Sequence, residues 1–304
     1  MTNALKRRLL WRLAQVSRLV WRMKGWDRIL RMLYTPDRLG VGKDSLCAVI
    51  PYDDHLLVHI DTSNFLEWTV LFKKHYETEI VQLYKHLLRP GMVAVDVGAN
   101  IGLHTLIFSQ LVTDCGKVIA VEPNPAVAKR LKQNCTLNRI NNVEILSAAL
   151  SHPGVHSGTL VAYRDSNPTG FLQTEPRERY EAGQTRPKDL IGVVVTTLDE
   201  ALASLDCTQV DLIKIDVDGG ECDVLCGAEG VLRRSRPHVL FEYSRSCYSP
   251  AGGDWNRLCV FLKSLGYQIY VIEESRGFFS YLSPLQDMLP PPDGNLLAVP
   301  ELNA

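Results

Sequence analysis

Val93-Ala94-Val95-Asp96-Val97-Gly98-Ala99-Asn100-Ile101-Gly102 decides how this chain is read. An apolar run of strand length breaks into a turn that holds two glycines, and a helix opens at about Leu103. The start of a helix leaves free backbone N–H groups, and Gly98 and Gly102 remove side chains where a ligand must approach the backbone. A polar ligand is expected there. Outward from this stretch, short apolar runs (Val118 to Val121, Val143 to Leu146) alternate with helical segments (Gly102 to Val112, Pro125 to Leu137). A second series follows: Thr197 to Leu205 helical, Val210 to Ile215 strand, Glu221 to Arg233 helix, Val239 to Phe241 strand. Such alternation predicts βαβ units and a doubly wound, mostly parallel α/β sheet buried on both faces.

Two ligands compete for the turn, a dinucleotide and S-adenosylmethionine. A dinucleotide fingerprint needs glycine where Asn100 and Leu103 stand, so a pyrophosphate has little room. Asp96 repels a pyrophosphate and suits the α-ammonium of S-adenosylmethionine. Glu122 ends the next strand about 20 residues on, where a carboxylate accepts both ribose hydroxyls, with Asn124 beside it. The residues expected to bind S-adenosylmethionine are thus Asp96, Gly98, Ala99, Asn100, Gly102, Glu122 and Asn124, joined by Ala148 and Asp216.

The second cluster, Asp211-Leu212-Ile213-Lys214-Ile215-Asp216-Val217-Asp218-Gly219-Gly220-Glu221, is a strand that ends in three carboxylates. Ligands of open α/β sheets lie outside the carboxyl ends of the strands, so Asp216, Asp218 and Glu221 are the candidate catalytic residues. Lys214 shares a strand face with Asp216 and is expected to pair with it. A divalent metal, if one binds, would take Asp216, Asp218 and Glu242. General base, ammonium contact and metal ligand all remain open for these carboxylates. His104 and His59 are weaker candidates for the base, and Tyr76-Glu77-Thr78-Glu79 is expected to border the cofactor pocket.

At these residues the chain resembles the FkbM family of methyltransferases, from about residue 90 to 245. The resemblance is carried by Val95 to Gly102, Val121-Glu122-Pro123-Asn124-Pro125, Asp211 to Glu221 with Leu225-Cys226-Gly227-Ala228, and Pro237 to Glu242. It implies a class I methyltransferase fold with a seven-stranded sheet and methyl transfer to a hydroxyl oxygen of a sugar, glycolipid, polysaccharide or natural product. Asp218 stands where the family has glutamate, and His152 follows Ala149-Leu150-Ser151 where it has an acidic residue. Methyl transfer to nitrogen or to a protein is the alternative. A nicotinamide-dependent oxidoreductase and a non-catalytic, membrane-associated cofactor-binding protein are the other classes considered.

The chain has 304 residues, 46% of them hydrophobic and 22% charged, which suits a globular core. Its net charge of -1 hides an asymmetry: residues 1 to 33 carry nine basic residues and one acidic, leaving 24 basic against 33 acidic elsewhere. An acidic body argues against wrapping by nucleic acid. Residues 1–34 form a basic amphipathic helix, with Leu5, Leu9, Leu13, Val16, Val20, Met23 and Leu30 on one stripe. Arg12 and Arg18 interrupt it too often for a membrane span, so it is expected to lie on an anionic membrane surface or dock on the body. A small-molecule, saccharide or lipid-linked acceptor and a cytoplasmic place at the inner membrane face follow from this reading. Residues 35–90 read as lead-in strands and a helix over residues 65–88, and residues 91–304 as the cofactor domain. An insertion or lid is placed at about residues 151–189, with Asn167-Pro168-Thr169-Gly170 as its turn. The eight cysteines are scattered, as in a reducing compartment, and Cys222 and Cys226 read as packing residues.

Overall fold

A computed structural model describes residues 11–18, 46–53, 55–63, 65–73, 75–162, 170–174, 189–245, 255–273, 281–285 and 290–301. A helical segment at residues 11–18 precedes an antiparallel hairpin, β1 (Cys47–Tyr52) and β2 (Leu56–Asp61), and the helices α1 (Phe65–Phe72) and α2 (Thr78–Leu87). The wound part begins with β3 (Val93–Val97), α3 (Leu103–Val112), β4 (Lys117–Val121), α4 (Pro125–Leu137) and β5 (Val143–Leu146). Four further strands follow: β6 (Ala149–Leu150), β7 (Ser157–Ala162), β8 (Gly170–Gln173) and β9 (Asp189–Thr196). The winding resumes with α5 (Leu198–Ser204), β10 (Leu212–Ile215), α6 (Glu221–Cys226), α7 (Glu229–Ser235) and β11 (His238–Tyr243). It closes with α8 (Trp255–Ser264), β12 (Tyr267–Glu273), β13 (Tyr281–Pro284) and β14 (Gly294–Pro300).

The main sheet runs β13-β12-β14-β11-β10-β3-β4-β5, with β11, β10, β3, β4 and β5 parallel and β14 antiparallel between β11 and β12. This is the class I methyltransferase architecture, with β13 as an eighth strand beyond the seven expected. Its chain order reverses between β3 and β10, so their carboxyl ends open the crevice where ligands bind. Both faces are buried, as the apolar runs predict. Ala94 joins a core formed with α1 to α4 and the hairpin, while Val95 and Val97 join one formed with α5 to α8.

Three expectations change. The helical pattern over residues 65–88 breaks into α1 and α2, with Glu77 in the left-handed region (φ 47) between them. The one over Glu221 to Arg233 breaks at Gly227, where a Cβ would lie 2.2 Å from the Ser151 carbonyl oxygen. The stretch read as an insertion or lid supplies β7 and β8 and the start of β9, in a second sheet ordered β6-β9-β7-β8. Its Leu160 buries with Val193 of β9 against Ala149 and Val195. The proposed turn at residues 167–169 lies outside the described residues.

The hairpin is tied to the wound sheet by α4. Asn138 accepts from the Leu57 N–H (2.8 Å) and donates to the Leu57 carbonyl (2.7 Å), and Asn134 accepts from the His59 N–H (2.8 Å). Two asparagines one helical turn apart thus stand in for a neighbouring strand. Asn134 also donates to the Ile101 carbonyl (2.8 Å) and so reaches the glycine turn. Beside them the Arg130 guanidinium forks onto the buried Glu67 carboxylate at 2.6 and 2.5 Å. The described part of residues 35–90 therefore shares one core with the wound sheet.

Of the expected basic helix, only residues 11–18 are described. Ser17 donates to the Phe72 carbonyl (2.9 Å), and Arg18 to the Leu71 (3.1 Å) and Val70 (3.2 Å) carbonyls, filling acceptors that the end of α1 leaves open. Ala14 and Ser17 face the body, while Leu13 and Val16 are 52% and 60% exposed.

Removing one partner of the α4 clamp leaves a buried carboxylate uncompensated. Arg130→Met is expected to cost about 3 kcal/mol, the low end for a broken buried pair because the guanidinium reaches solvent. Urea unfolding measures it, and an unchanged midpoint would show that the clamp holds nothing.

Candidate active site

Lys214 lies at the floor of the crevice, on β10. It is 2% exposed, with its Nζ 3.2 Å from Asp216 Oδ2 and 3.6 Å from Asp96 Oδ1. Burial works against its charge, but Asp216 and then Asp96 overcome that and raise its pKa above the ordinary lysine value. Asp96 has no exposed surface and also accepts from the Thr105 hydroxyl at 2.6 Å. Asp96, expected to meet a cofactor ammonium, thus lies against the Lys214 ammonium within the sheet. Asp216, whose side chain is 35% exposed, presents its carboxylate to the crevice. Burial raises its pKa, and Lys214 more than offsets this, so it stays ionised.

The two glycines are needed for packing as much as for ligand approach. Gly98 has φ +77, and a Cβ there would lie 1.9 Å from the Asp216 carbonyl oxygen, so the turn passes directly over the end of β10. Gly102 has φ +94, and a Cβ would meet Leu131 Cδ1 of α4 at 2.3 Å. Asn100 takes φ 51, tolerable for asparagine, and its side chain accepts from the Ile101 N–H (2.8 Å). Ala99 is buried beneath the turn.

Glu122, 7% exposed, accepts from the Asn100 N–H (2.9 Å) on one oxygen and the Asn124 N–H (2.8 Å) on the other. Burial drives its pKa up to about 7 against those two hydrogen bonds. The carboxylate is thus fixed between the turn and α4, with lone pairs left for hydroxyl donors. Asn124 caps α4 by accepting from the Ala126 N–H (3.0 Å), which gives its side chain a structural task beyond the ribose contact expected. Ala148 is half-buried in the connection from β5 to β6, next to the strand whose Leu146 carbonyl accepts from the Glu122 N–H (3.0 Å).

The three carboxylates after β10 part company. Glu221 is 1% exposed and turned inward, accepting from the Val217 (3.3 Å) and Gly219 (3.2 Å) N–H groups, and burial lifts its pKa to about 7. Through these two bonds it holds the turn that presents Asp216. Asp218 adopts φ 54 on that turn, half-buried. Glu242, half-buried at the end of β11, is pushed up to about 8 by burial and then by the charges of Asp216, Glu77 and Asp218. Among the described residues no three His, Cys, Asp or Glu side chains are arranged to hold a metal ion.

The lead-in supplies a carboxylate whose role sequence reasoning left undefined. Glu77 Oε2 lies 3.2 Å from His104 Nε2, and Glu77 Oε1 accepts from the Asn295 side chain (3.2 Å) of β14. Asn295 pairs in register with Glu242. His104 is buried between the rings of Tyr76 and Tyr84, with centroids 5.8 and 5.6 Å away. His59 sits on β2, 3.5 Å through its carbonyl from Arg130, as part of the hairpin contact. The arrangement is a crevice with the Glu122 carboxylate at one side and an acidic wall of Glu77, Asp216, Asp218 and Glu242 at the other. Such a wall favours a cationic ligand over a pyrophosphate.

A family profile described as "Methyltransferase FkbM domain" matches residues 96–269, and one described as "Protein-L-isoaspartate(D-aspartate) O-methyltransferase (PCMT)" matches residues 27–150. The "2-O-methyltransferase NoeI" of Sinorhizobium fredii is 26% identical over 171 residues, covering 54% of this chain and 68% of that protein. The "Hexuronic acid methyltransferase AglP" of Haloferax volcanii is 26% identical over 52% of this chain and 58% of its own length. The "31-O-demethyl-FK506 methyltransferase FkbM" of Streptomyces tacrolimicus is 28% identical over 47% of this chain and 61% of its own length.

Gly98→Ala is expected to be the most damaging single methyl in the crevice, because it adds left-handed strain to a clash with β10. S-adenosylhomocysteine affinity in calorimetric titration should fall at least tenfold, about 1.4 kcal/mol. Unchanged affinity would show that the turn does not hold the cofactor.

Proposed function

Because this chain belongs to the FkbM family of methyltransferases, which use S-adenosylmethionine, we propose that its acceptor is a hydroxyl oxygen of a saccharide, glycolipid or similar polyhydroxylated molecule. The family assignment rests on the profile over residues 96–269. The observation that carries the oxygen reading is the Asp216 and Glu242 pair at the carboxyl ends of β10 and β11, two neighbouring carboxyl groups with pKa values driven apart. The similarity to NoeI and AglP, named as a 2-O-methyltransferase and a hexuronic acid methyltransferase, supports a sugar-like acceptor.

S-adenosylmethionine supplies an electrophilic methyl on a sulfonium. The residues present fit it: Glu122 is oriented to accept the ribose hydroxyls, the turn from Gly98 to Gly102 presents its backbone, and the acidic wall offsets the cofactor's cationic charge. Methyl transfer is an in-line displacement in which alignment supplies much of the rate. Asp216, held ionised by Lys214, orients the acceptor hydroxyl as a hydrogen-bond acceptor. Glu242 is the better base of the pair, since its pKa near 8 matches working pH more closely than that of Asp216. Of the three carboxylates expected to be catalytic, Asp216, Asp218 and Glu221, this reading keeps Asp216, pairs it with Glu242, and has Asp218 contribute by raising Glu242.

The pH dependence follows in sign. Glu242 has a folded-state pKa above the ordinary carboxylate value, so its proton leaves as pH climbs towards 8; stability is lost over that climb while the base form is gained. Activity should rise with a limb near pH 8 and level off above it. In Glu242→Gln that limb should vanish, with turnover down about 100-fold, the lower end for general base catalysis, and S-adenosylhomocysteine affinity little changed. A limb that persists in Glu242→Gln would remove Glu242 from the reaction.

We also propose that residues 1–33 hold the protein at an anionic membrane surface. The carrying observation is the orientation of residues 11–18: Ala14 and Ser17 dock on the body, and the exposed Leu13 and Val16 continue the apolar stripe of a strongly basic segment. No helix of the described residues is long and apolar enough to cross a membrane. Full-length protein should pellet with vesicles rich in phosphatidylserine and stay in solution with neutral ones. Leu13→Glu combined with Val16→Glu should abolish pelleting without changing the unfolding midpoint, whereas pelleting that survives the double change would end the proposal.

A further inference from the structure

Glu77 occupies the N-cap of α2 in the left-handed region, with φ 47 and ψ 65, and its side chain makes no cap hydrogen bond. A polar residue at an N-cap ordinarily turns its side-chain oxygen back onto the first N–H groups of its own helix, and left-handed backbone suits glycine or asparagine better than glutamate. The Glu77 carboxylate instead leaves α2 for the crevice, with its side chain 25% exposed. Its two oxygens take partners from two remote elements: Oε2 lies 3.2 Å from His104 Nε2 of α3, and Oε1 accepts from the Asn295 side chain of β14 at 3.2 Å. A left-handed glutamate and a forgone cap both lower stability, so the surrounding contacts must hold the residue in place.

Both anchors are themselves fixed. His104 is buried between the Tyr76 and Tyr84 rings, and its Nδ1 has no hydrogen-bond partner among the described residues, so its approach to Glu77 compensates the burial of the imidazole. Asn295 stands opposite Glu242 in the pairing of β14 with β11. Residues directly opposed in an antiparallel pair share one face of the sheet, with Cβ atoms about 5 Å apart. Bonded to Asn295, the Glu77 carboxylate is therefore brought to the Glu242 face of the crevice. The other titratable groups around Glu242 are Asp216 and Asp218 of β10 and its turn, and Tyr76, with Lys214 behind Asp216 and His104 behind Glu77. Beyond the strand ends, Asp293 accepts from the Arg245 N–H (2.9 Å). Burial comes first among the influences that keep a proton on Glu242, and the charges of Asp216, Glu77 and Asp218 follow in that order.

We propose that Glu77 is a positioning residue for methyl transfer: clamped by His104 and Asn295, it holds a fixed negative charge against Glu242, and Glu242 takes the acceptor's proton more readily for it. The inference deepens the reading of Glu242 as the base and rests on it. Asp216 serves this purpose less well, because Lys214 lies 3.2 Å from its carboxylate and offsets its charge. Glu77 has no lysine or arginine in ion-pair contact among the described residues, and its contact is with the His104 imidazole. The role needs no contact between Glu77 and either acceptor or cofactor.

The test reads Glu242 directly. The full chain, with glutamate labelled by carbon-13 at the side-chain carboxyl, is titrated by NMR, and the Glu242 signal is the one missing from Glu242→Gln. In the unmutated chain that signal should titrate near pH 8. In Glu77→Gln, which keeps an acceptor for Asn295 and removes the charge, the titration should move down by about one pH unit, the usual size for one charge at close range. Asn295→Leu, which keeps the charge and cuts its tether to β14, should move it the same way by a smaller step. A Glu242 titration near pH 8 that stays in place in Glu77→Gln would overturn the inference and leave the base assignment standing. A Glu242 signal that titrates in the ordinary carboxylate range in the unmutated chain would remove both. Should Glu77→Gln fail to fold, Asn295→Leu decides, and an unmoved titration there overturns the inference.

Discussion

One ammonium group, that of Lys214, holds the centre of this molecule together. It sits within the sheet between Asp96 of β3 and Asp216 of β10, the two strands whose winding diverges. A lysine without its carboxylates would be costly there, and so would Asp96 without its lysine. With both present, the crevice floor carries a sealed carboxylate on one side and a presented one on the other. The different roles of Asp96 and Asp216 come from exposure, since the residue type is the same.

Much of the architecture was readable because it depends on local periodicity. Apolar runs of strand length, bracketed by turn residues, gave the alternation, and the segment from Val93 to Gly102 behaves as its pattern demands. What escaped are features decided by distant neighbours. Gly227 breaks a helical pattern because the Ser151 backbone lies against it, a contact invisible at a separation of seventy-odd residues. Residues 151–189 read as a polar insertion because their apolar members are few, yet Leu160 with Val193 and Val195 of β9 suffices to build a small core.

The site was legible to a similar depth. Glu122, Asp216 and the glycine turn announce themselves by position at strand ends. Glu221 looked equally catalytic because a sequence shows three carboxylates and cannot show which one curls back onto its own turn. Glu242 and Glu77 converge with Asp216 through β14, whose Asn295 bridges elements far apart in the chain. The one local hint at Glu77 is the absence of any glycine where the backbone turns left-handed, a strain often found where side-chain placement is functional.

Helix α4 has a property that follows from what it touches at its two ends. Its first residues support the carboxylate at Glu122 through Asn124, and its last two turns hold the edge of β2 through Asn134 and Asn138. Adding or deleting one residue between those ends would rotate the asparagines by about 100° around the axis and swing them off the strand. The element therefore works as a gauge block whose length is set to the residue, and variation in size must be taken up elsewhere, in connections such as that between β7 and β8.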